Sequence, residues 1–160
     1  MTTFKEISGQ LIRTLSSDPA NPLEGQIWYN STIGVLKGYK SIGGAWASGG
    51  NMGTARVGLA GAGTQTAALG FGGYTTTNVA NTEEYNGSAW TAGGNMGTAR
   101  RYLAGAGIQT AGLAFGGNST AITNATEEYD GSAWTGGGNM GTARYLLAGC
   151  GLQTAGLGFG

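Results

Sequence analysis

The chain has no histidine, one cysteine and two prolines among its 160 residues, and only 10% of them are charged. The lack of histidine removes the commonest general base and metal ligand. A single cysteine excludes both a disulfide framework and a cysteine-built zinc site. Cys150 occupies the slot that Ala62 and Ala106 hold elsewhere in the chain, which reads as a small buried packing residue and not a nucleophile. Eight basic and eight acidic residues give a net charge of zero, so no electrostatic footprint points to nucleic acid or an anionic membrane. No apolar run approaches the ~20 residues of a spanning helix. The start, from Met1 to Glu6, lacks the basic region and apolar run of a secretory signal. These absences predict a protein made in a cytoplasm, with no cofactor, no metal, no nucleic-acid partner and no membrane insertion.

Glycine, by contrast, is abundant, at 34 residues. Gly-rich, charge-poor chains are often disordered or fibrous, but here the glycines sit in an ordered repeat. The segment Asn51-Met52-Gly53-Thr54-Ala55-Arg56 returns at Asn95–Arg100 and at Asn139–Arg144, each time after 44 residues. Trp46, Trp90 and Trp134 keep the same step, as do Phe71, Phe115 and Phe159. A period near 44 that holds several short β-like runs is the signature of a propeller blade and not of a helical repeat.

Three zones follow. In residues 1–23, Phe4, Ile7, Leu11, Ile12 and Leu15 approximate a helical stripe, while Ile7, Gly9 and Leu11 alternate with polar neighbours as an extended strand would. The zone ends in a Pro-containing linker, Asp18-Pro19-Ala20-Asn21-Pro22. Residues 24–48 read as β-hairpins or a partial blade: a strand over Gln26–Asn30, a turn at Ser31–Gly34, a strand over Val35–Lys40, a turn at Gly43-Gly44 and a strand Ala45-Trp46-Ala47. Residues 49–160 are the repeats. Each is predicted to hold four strands, exemplified by Val57–Gly63, Ala67–Gly72, Thr82–Tyr85 and Ser88–Thr91. Asn86-Gly87 and Asp130-Gly131 are predicted to form tight two-residue turns. Gly72-Gly73 closes the second strand with a sharp bend or a close backbone approach. Residues 74–81 differ most from their counterparts 118–125, as an exposed loop would.

A double glycine closing the second strand, a Tyr in the third and a Trp in the fourth resemble the kelch-type propeller blade. Gly72, Gly73, Tyr85 and Trp90 carry the resemblance, as do Gly116, Gly117, Tyr129 and Trp134. The partial unit before them departs from it, with Ser41 at the Tyr position. Together with Ser17–Pro22 and Gly25–Asn30, the chain is similar to kelch-like repeat proteins of marine tailed phages. That resemblance implies an all-β fold of four-stranded antiparallel blades. It also implies a non-catalytic virion component, a tail fibre or other receptor-binding appendage. Its partners would be other virion proteins or copies of itself, and a host surface glycan or protein. The alternatives are an intracellular protein-interaction propeller and, with neither histidine nor a second cysteine to build its metal site, a fragment of a kelch-type oxidase.

The repeats amount to a half blade over residues 35–48, two full blades and a half blade over 144–160. Closed propellers need about four to eight blades. The expectation is a segment of a longer array, or else two chains closing one six-bladed ring.

Arg56, Arg100 and Arg144 recur at one phase and Glu83-Glu84 and Glu127-Glu128 at another, which reads as one Arg–Glu pair per blade in preference to a ligand-binding ring. The tryptophans read as cover for the interface between blades rather than sugar platforms, and Met52, Met96 and Met140 as fillers. Gly105-Ala106-Gly107 is no phosphate loop, since neither a Lys-Ser/Thr pair nor a helix follows. Residues that break the repeat are the better candidates for ligand binding. These are Tyr74, Asn78, Asn118 and Thr123 in the variable loops, and Val57-Gly58 against Arg101-Tyr102 and Tyr145-Leu146.

Overall fold

A computed structural model describes residues 12–23, 25–39 and 48–160. Every regular element among them is a β-strand. The chain divides into two compact units, residues 1–47 and 48–160.

In the first unit, β1 (Arg13–Leu15) runs parallel to β2 (Ile27–Asn30), which is antiparallel to β3 (Val35–Gly38). Residues 13–15 are extended, and no helix covers Leu15. Phe4, Ile7, Gly9 and Leu11 lie outside the described residues, as do Ser41, the Gly43-Gly44 turn and the strand expected at Ala45-Trp46-Ala47. The linker is clipped to the hairpin through Asp18. Its carboxylate accepts hydrogen bonds from Lys37 Nζ at 2.5 Å, Trp28 Nε1 at 3.0 Å and Asn30 Nδ2 at 2.9 Å. These donors, Lys37 first, hold the carboxyl down to about 2. The turn expected at residues 31–34 is organised by Asn30, whose Oδ1 accepts from the Thr32 and Ile33 amides. Val35–Gly38 is the second strand of this hairpin, and the rest of the partial blade expected over residues 35–48 lies mostly on residues 40–47, outside the described residues.

The second unit contains two four-stranded antiparallel meanders and a hairpin. The first sheet is β4 (Ala60–Thr64), β5 (Ala67–Phe71), β6 (Thr82–Tyr85) and β7 (Trp90–Ala92). The second is β8 (Ala104–Ile108), β9 (Ala111–Phe115), β10 (Thr126–Tyr129) and β11 (Trp134–Gly136). The terminal hairpin is β12 (Ala148–Leu152) with β13 (Ala155–Phe159), and it leaves Cys150 exposed where the sequence predicts a buried residue. Two further features differ from the sequence reading. First strands begin at Ala60 and its equivalents, not at Val57, because Gly58, Tyr102 and Leu146 all take left-handed backbone (φ 62°, 55° and 57°) and interrupt the extended chain. The third and fourth strands are joined by four residues, not a two-residue turn: Tyr85 pairs with Trp90 across residues 86–89. Asn86 Oδ1 captures the Ser88 and Ala89 amides, and Asp130 does the same for Ser132 and Ala133, so the side chain competes successfully for the donors of a tight turn.

Within this unit β4, β8 and β12 lie side by side. The small-residue composition of these strands makes that approach feasible. A Cβ on Gly105 would sit 2.6 Å from the Gly61 carbonyl oxygen, and one on Gly149 would sit 2.6 Å from that of Gly105. The outer strands approach less closely and are bridged by large side chains. Phe71 on the first sheet meets Trp134 on the second with ring centroids 4.8 Å apart. Leu69, Phe71, Met96, Leu103, Ala114 and Tyr129 form one buried cluster around this contact. Fully burying a side chain the size of Phe71 contributes about 1.5–3 kcal/mol. Ala104, Ala106, Phe115 and Leu147 form a second cluster toward the hairpin. The double glycines serve the same seam. Gly73 N donates to Arg100 O at 2.9 Å and Gly117 N to Arg144 O at 2.8 Å. A Cβ on Gly72 would come within 2.7 Å of the Arg100 carbonyl oxygen.

Candidate functional site

The invariant residues of the repeat are consumed by the framework. Arg56 Nη2 lies 3.2 Å from Glu83 Oε1, and Arg100 Nη2 lies 3.2 Å from Glu127 Oε1, with both arginine side chains fully buried. Burial lowers both guanidinium pKa values, and the glutamate charge opposes that shift. Each carboxylate also closes on backbone amides of the loop before the first strand. Glu83 accepts from Gly53 N at 2.5 Å and Thr54 N at 3.3 Å; Glu127 accepts from Gly97 N at 2.6 Å and Thr98 N at 3.3 Å. Arg56 Nη2 and Arg100 Nη1 donate further to the Gly70 and Ala125 carbonyls. The Gly-Thr-Ala-Arg motif is therefore a clamp between a loop and a third strand, with its arginine side chain shut away from solvent. Arg144 has no glutamate partner among the described residues, and its Nη1 donates to Gly160 O at 3.1 Å.

The seam between sheets uses the second glutamate and the aromatics. Tyr129 Oη donates to Glu84 Oε1 at 2.5 Å, and Trp134 Nε1 to Thr82 Oγ1 at 2.9 Å. Burial first, and the bond to Glu84 next, push the Tyr129 hydroxyl up to about 12. Tyr85 and Trp90 stack within their own sheet at 5.1 Å. Sequence reasoning missed the glutamines. Gln109, in the turn between β8 and β9, donates through Nε2 to Ala68 O and Tyr85 O of the first sheet. Gln153 donates in the same way to Gly112 O and Tyr129 O. Their signal was available, because Gln65, Gln109 and Gln153 follow the same 44-residue step.

The residues that break the repeat gather at one edge, where the first strands begin. Val57 and Tyr74 exchange backbone hydrogen bonds at 3.0 and 2.8 Å, and Arg101 and Asn118 do so at the same distances. Tyr102 N donates to Gly58 O at 2.7 Å and Leu146 N to Tyr102 O at 2.8 Å, so this edge is itself a ladder running from repeat to repeat. Left-handed backbone costs a bulky residue such as Tyr102 or Leu146 about 1–2 kcal/mol, and bulky side chains are nevertheless kept there. The Arg101 guanidinium lies 4.6 Å from the Tyr74 ring centroid and 5.4 Å from that of Tyr102. Val57, Ile122, Tyr145 and Leu146 are exposed. Of the four loop candidates, Tyr74 and Asn118 belong to this edge. Asn78 instead braces the neighbouring loop, its Nδ2 donating to Asn118 O and Ser119 O. Thr123 is likewise turned inward: its N donates to Gly117 O and its Oγ1 accepts from Ala125 N.

Two further features bear on chemistry. A cavity of about 390 Å³ with mixed polar and apolar walls lies between the second sheet and the terminal hairpin, lined by Leu113, Phe115, Thr126, Met140, Arg144 and Leu147 among others. One repeat earlier the equivalent space holds Trp134 against Phe71 and Thr82, so the cavity has the character of a packing site. Among the described residues no three His, Cys, Asp or Glu side chains cluster as a metal site would require, and no helix is long and apolar enough to cross a membrane. Comparison with protein-family models and with curated proteins finds no match.

Proposed function

We propose that the chain is a non-catalytic recognition and structural module: kelch-like propeller blades of a phage tail fibre or appendage that bind a host surface glycan or protein. One observation carries the reading. The residues constant from repeat to repeat are spent on the clamp and the seam, whereas the variable ones, Val57, Tyr74, Arg101, Tyr102, Asn118, Tyr145 and Leu146, share one edge. Selection for binding acts on such an edge without disturbing the frame. Its mixture of tyrosine rings, a guanidinium and exposed aliphatics suits a ligand with both polar and apolar faces, as a saccharide has.

A glycan array probed with the purified chain tests this. Saturable binding is expected, weakened about tenfold or more (~1.4 kcal/mol) by Arg101→Ala or Tyr145→Ser, with the unfolding midpoint unchanged. Absence of the chain from purified virions, together with no saturable binding to glycans or to host cells, would overturn the reading.

A further inference from the structure

Arg101 is a cation that the frame does not use. Its counterparts one repeat before and one repeat after are Val57 and Tyr145. Val57 makes the same pair of backbone bonds to Tyr74 that Arg101 makes to Asn118, at the same 3.0 and 2.8 Å, so the local fold does not require the charge. Nor is the charge neutralised. Among the described residues the Arg101 side chain makes no hydrogen bond and no ion pair, and its Nε is buried without an acceptor. No acidic residue occurs in any segment of this edge, namely 57–59, 73–81, 101–103, 117–125 and 145–147. The guanidinium is nevertheless held in place, against the Tyr74 ring at 4.6 Å and the Tyr102 ring at 5.4 Å. Tyr102 is fixed in turn. Its ring lies over Gly58, where a Cβ would stand 2.8 Å from the ring carbon Cδ1. Arg101 and Asn118 are cross-strand partners, which puts their side chains on one face. The Asn118 side-chain amide is also without a hydrogen bond among the described residues.

We infer that this edge selects acidic saccharides, with Arg101 pairing to a carboxylate or sulfate ester on the sugar; the inference rests on the glycan reading above. A guanidinium is a planar fork of donors, and its complement is a group with two anionic oxygens. Tyr74 and Tyr102 orient the fork, so little side-chain freedom is lost when the anion arrives. The Asn118 amide, on the same face, supplies a donor and an acceptor for a neighbouring sugar hydroxyl. With no carboxylate in the edge, nothing within it competes for the cation and nothing repels an incoming anion. A neutral sugar in the same place leaves the guanidinium unpaired, and a site whose polar groups go unpaired discriminates against that ligand.

Isothermal titration of the purified chain tests the inference with two matched pairs of probes. One is oligogalacturonate against its full methyl ester, the other a sulfated galactan oligomer against its unsulfated parent. The wild-type chain is expected to bind an acidic member at least about tenfold more tightly than its neutral match. The pair that shows this preference tells carboxylate from sulfate. Raising salt from about 0.05 M to about 0.5 M is expected to shrink the preference, because the charge contact is screened. Arg101→Gln is expected to abolish it, and Arg101→Lys, which keeps the charge and loses the fork, to retain only part of it. An arginine that served packing alone would leave the acid-to-neutral ratio unmoved. Should Arg101→Gln fail to fold by circular dichroism, the wild-type preference and its salt dependence decide alone. Neutral members bound as tightly as acidic ones, or a preference that survives Arg101→Gln, would overturn the inference and leave the glycan reading standing. Binding of none of the probes would also overturn it, and the glycan reading would then stand or fall on the array.

Discussion

Tyr129 carries its hydroxyl from β10 of the second sheet to Glu84 on β6 of the first, 2.5 Å away. The ring is fully buried, and the folded chain raises the hydroxyl from its ordinary 10.0 to about 12. The neutral phenol is therefore the form the fold prefers. Its stabilising contribution is complete below pH 10 and is lost as pH rises from there toward about 12. Urea unfolding across this range should show stability falling in wild type, with a shallower fall in Tyr129→Phe. Equal slopes would show that the hydroxyl is not held at the seam. The same residue marks how far single positions can be read. Its recurrence with Tyr85 is plain in the sequence, but its partner sits 45 residues earlier, in another repeat. Nothing in a run of Thr-Glu-Glu-Tyr distinguishes the glutamate that faces the clamp from the one that faces the neighbouring sheet.

At the scale of elements, the clamp ties the loop before β8 to strand β10. Glu127 compensates the buried Arg100 guanidinium and accepts two loop amides. Glu127→Gln leaves that cation buried without its counter-charge, and chemical denaturation is expected to show a loss of about 3–5 kcal/mol. The exposed neighbour substitution Glu128→Gln should change stability by no more than about 0.5 kcal/mol. Comparable losses at both positions would remove the clamp from the account.

Third strands were legible to the residue, Thr82–Tyr85 being bounded by a variable loop and a turn signal. First strands were legible in existence but not in their start. Gly58 hints at left-handed backbone, whereas Tyr102 and Leu146 at the same position give no such hint. The loop after β6 was misread because Asn-Gly favours a two-residue turn only when its side chain does not bind the amides that follow. Of the loop candidates, Asn78 and Thr123 were chosen for variability alone, which does not reveal that the Asn78 Nδ2 and the Thr123 Oγ1 are already bonded within the fold.

At the largest scale, residues 48–160 are built on one recurring contact: a strand of small residues laid directly against its counterpart in the preceding repeat, with aromatic side chains filling the space farther out. The 44-residue period implies such a contact because no single sheet buries its own faces. Two glycines of identical repeat phase separate this claim from local strand chemistry. Gly105 faces the Gly61 carbonyl oxygen of the neighbouring sheet, where a Cβ would stand at 2.6 Å, whereas a Cβ on Gly61 would meet, among the described residues, Leu69 O of its own sheet at 3.3 Å. Equilibrium unfolding of Gly61→Val and Gly105→Val, at concentrations low enough to keep both monomeric, measures the difference. The prediction is a loss of about 2–3 kcal/mol for Gly105→Val and less than about 1 kcal/mol for Gly61→Val. Equal losses at the two positions would contradict the stacked-sheet account.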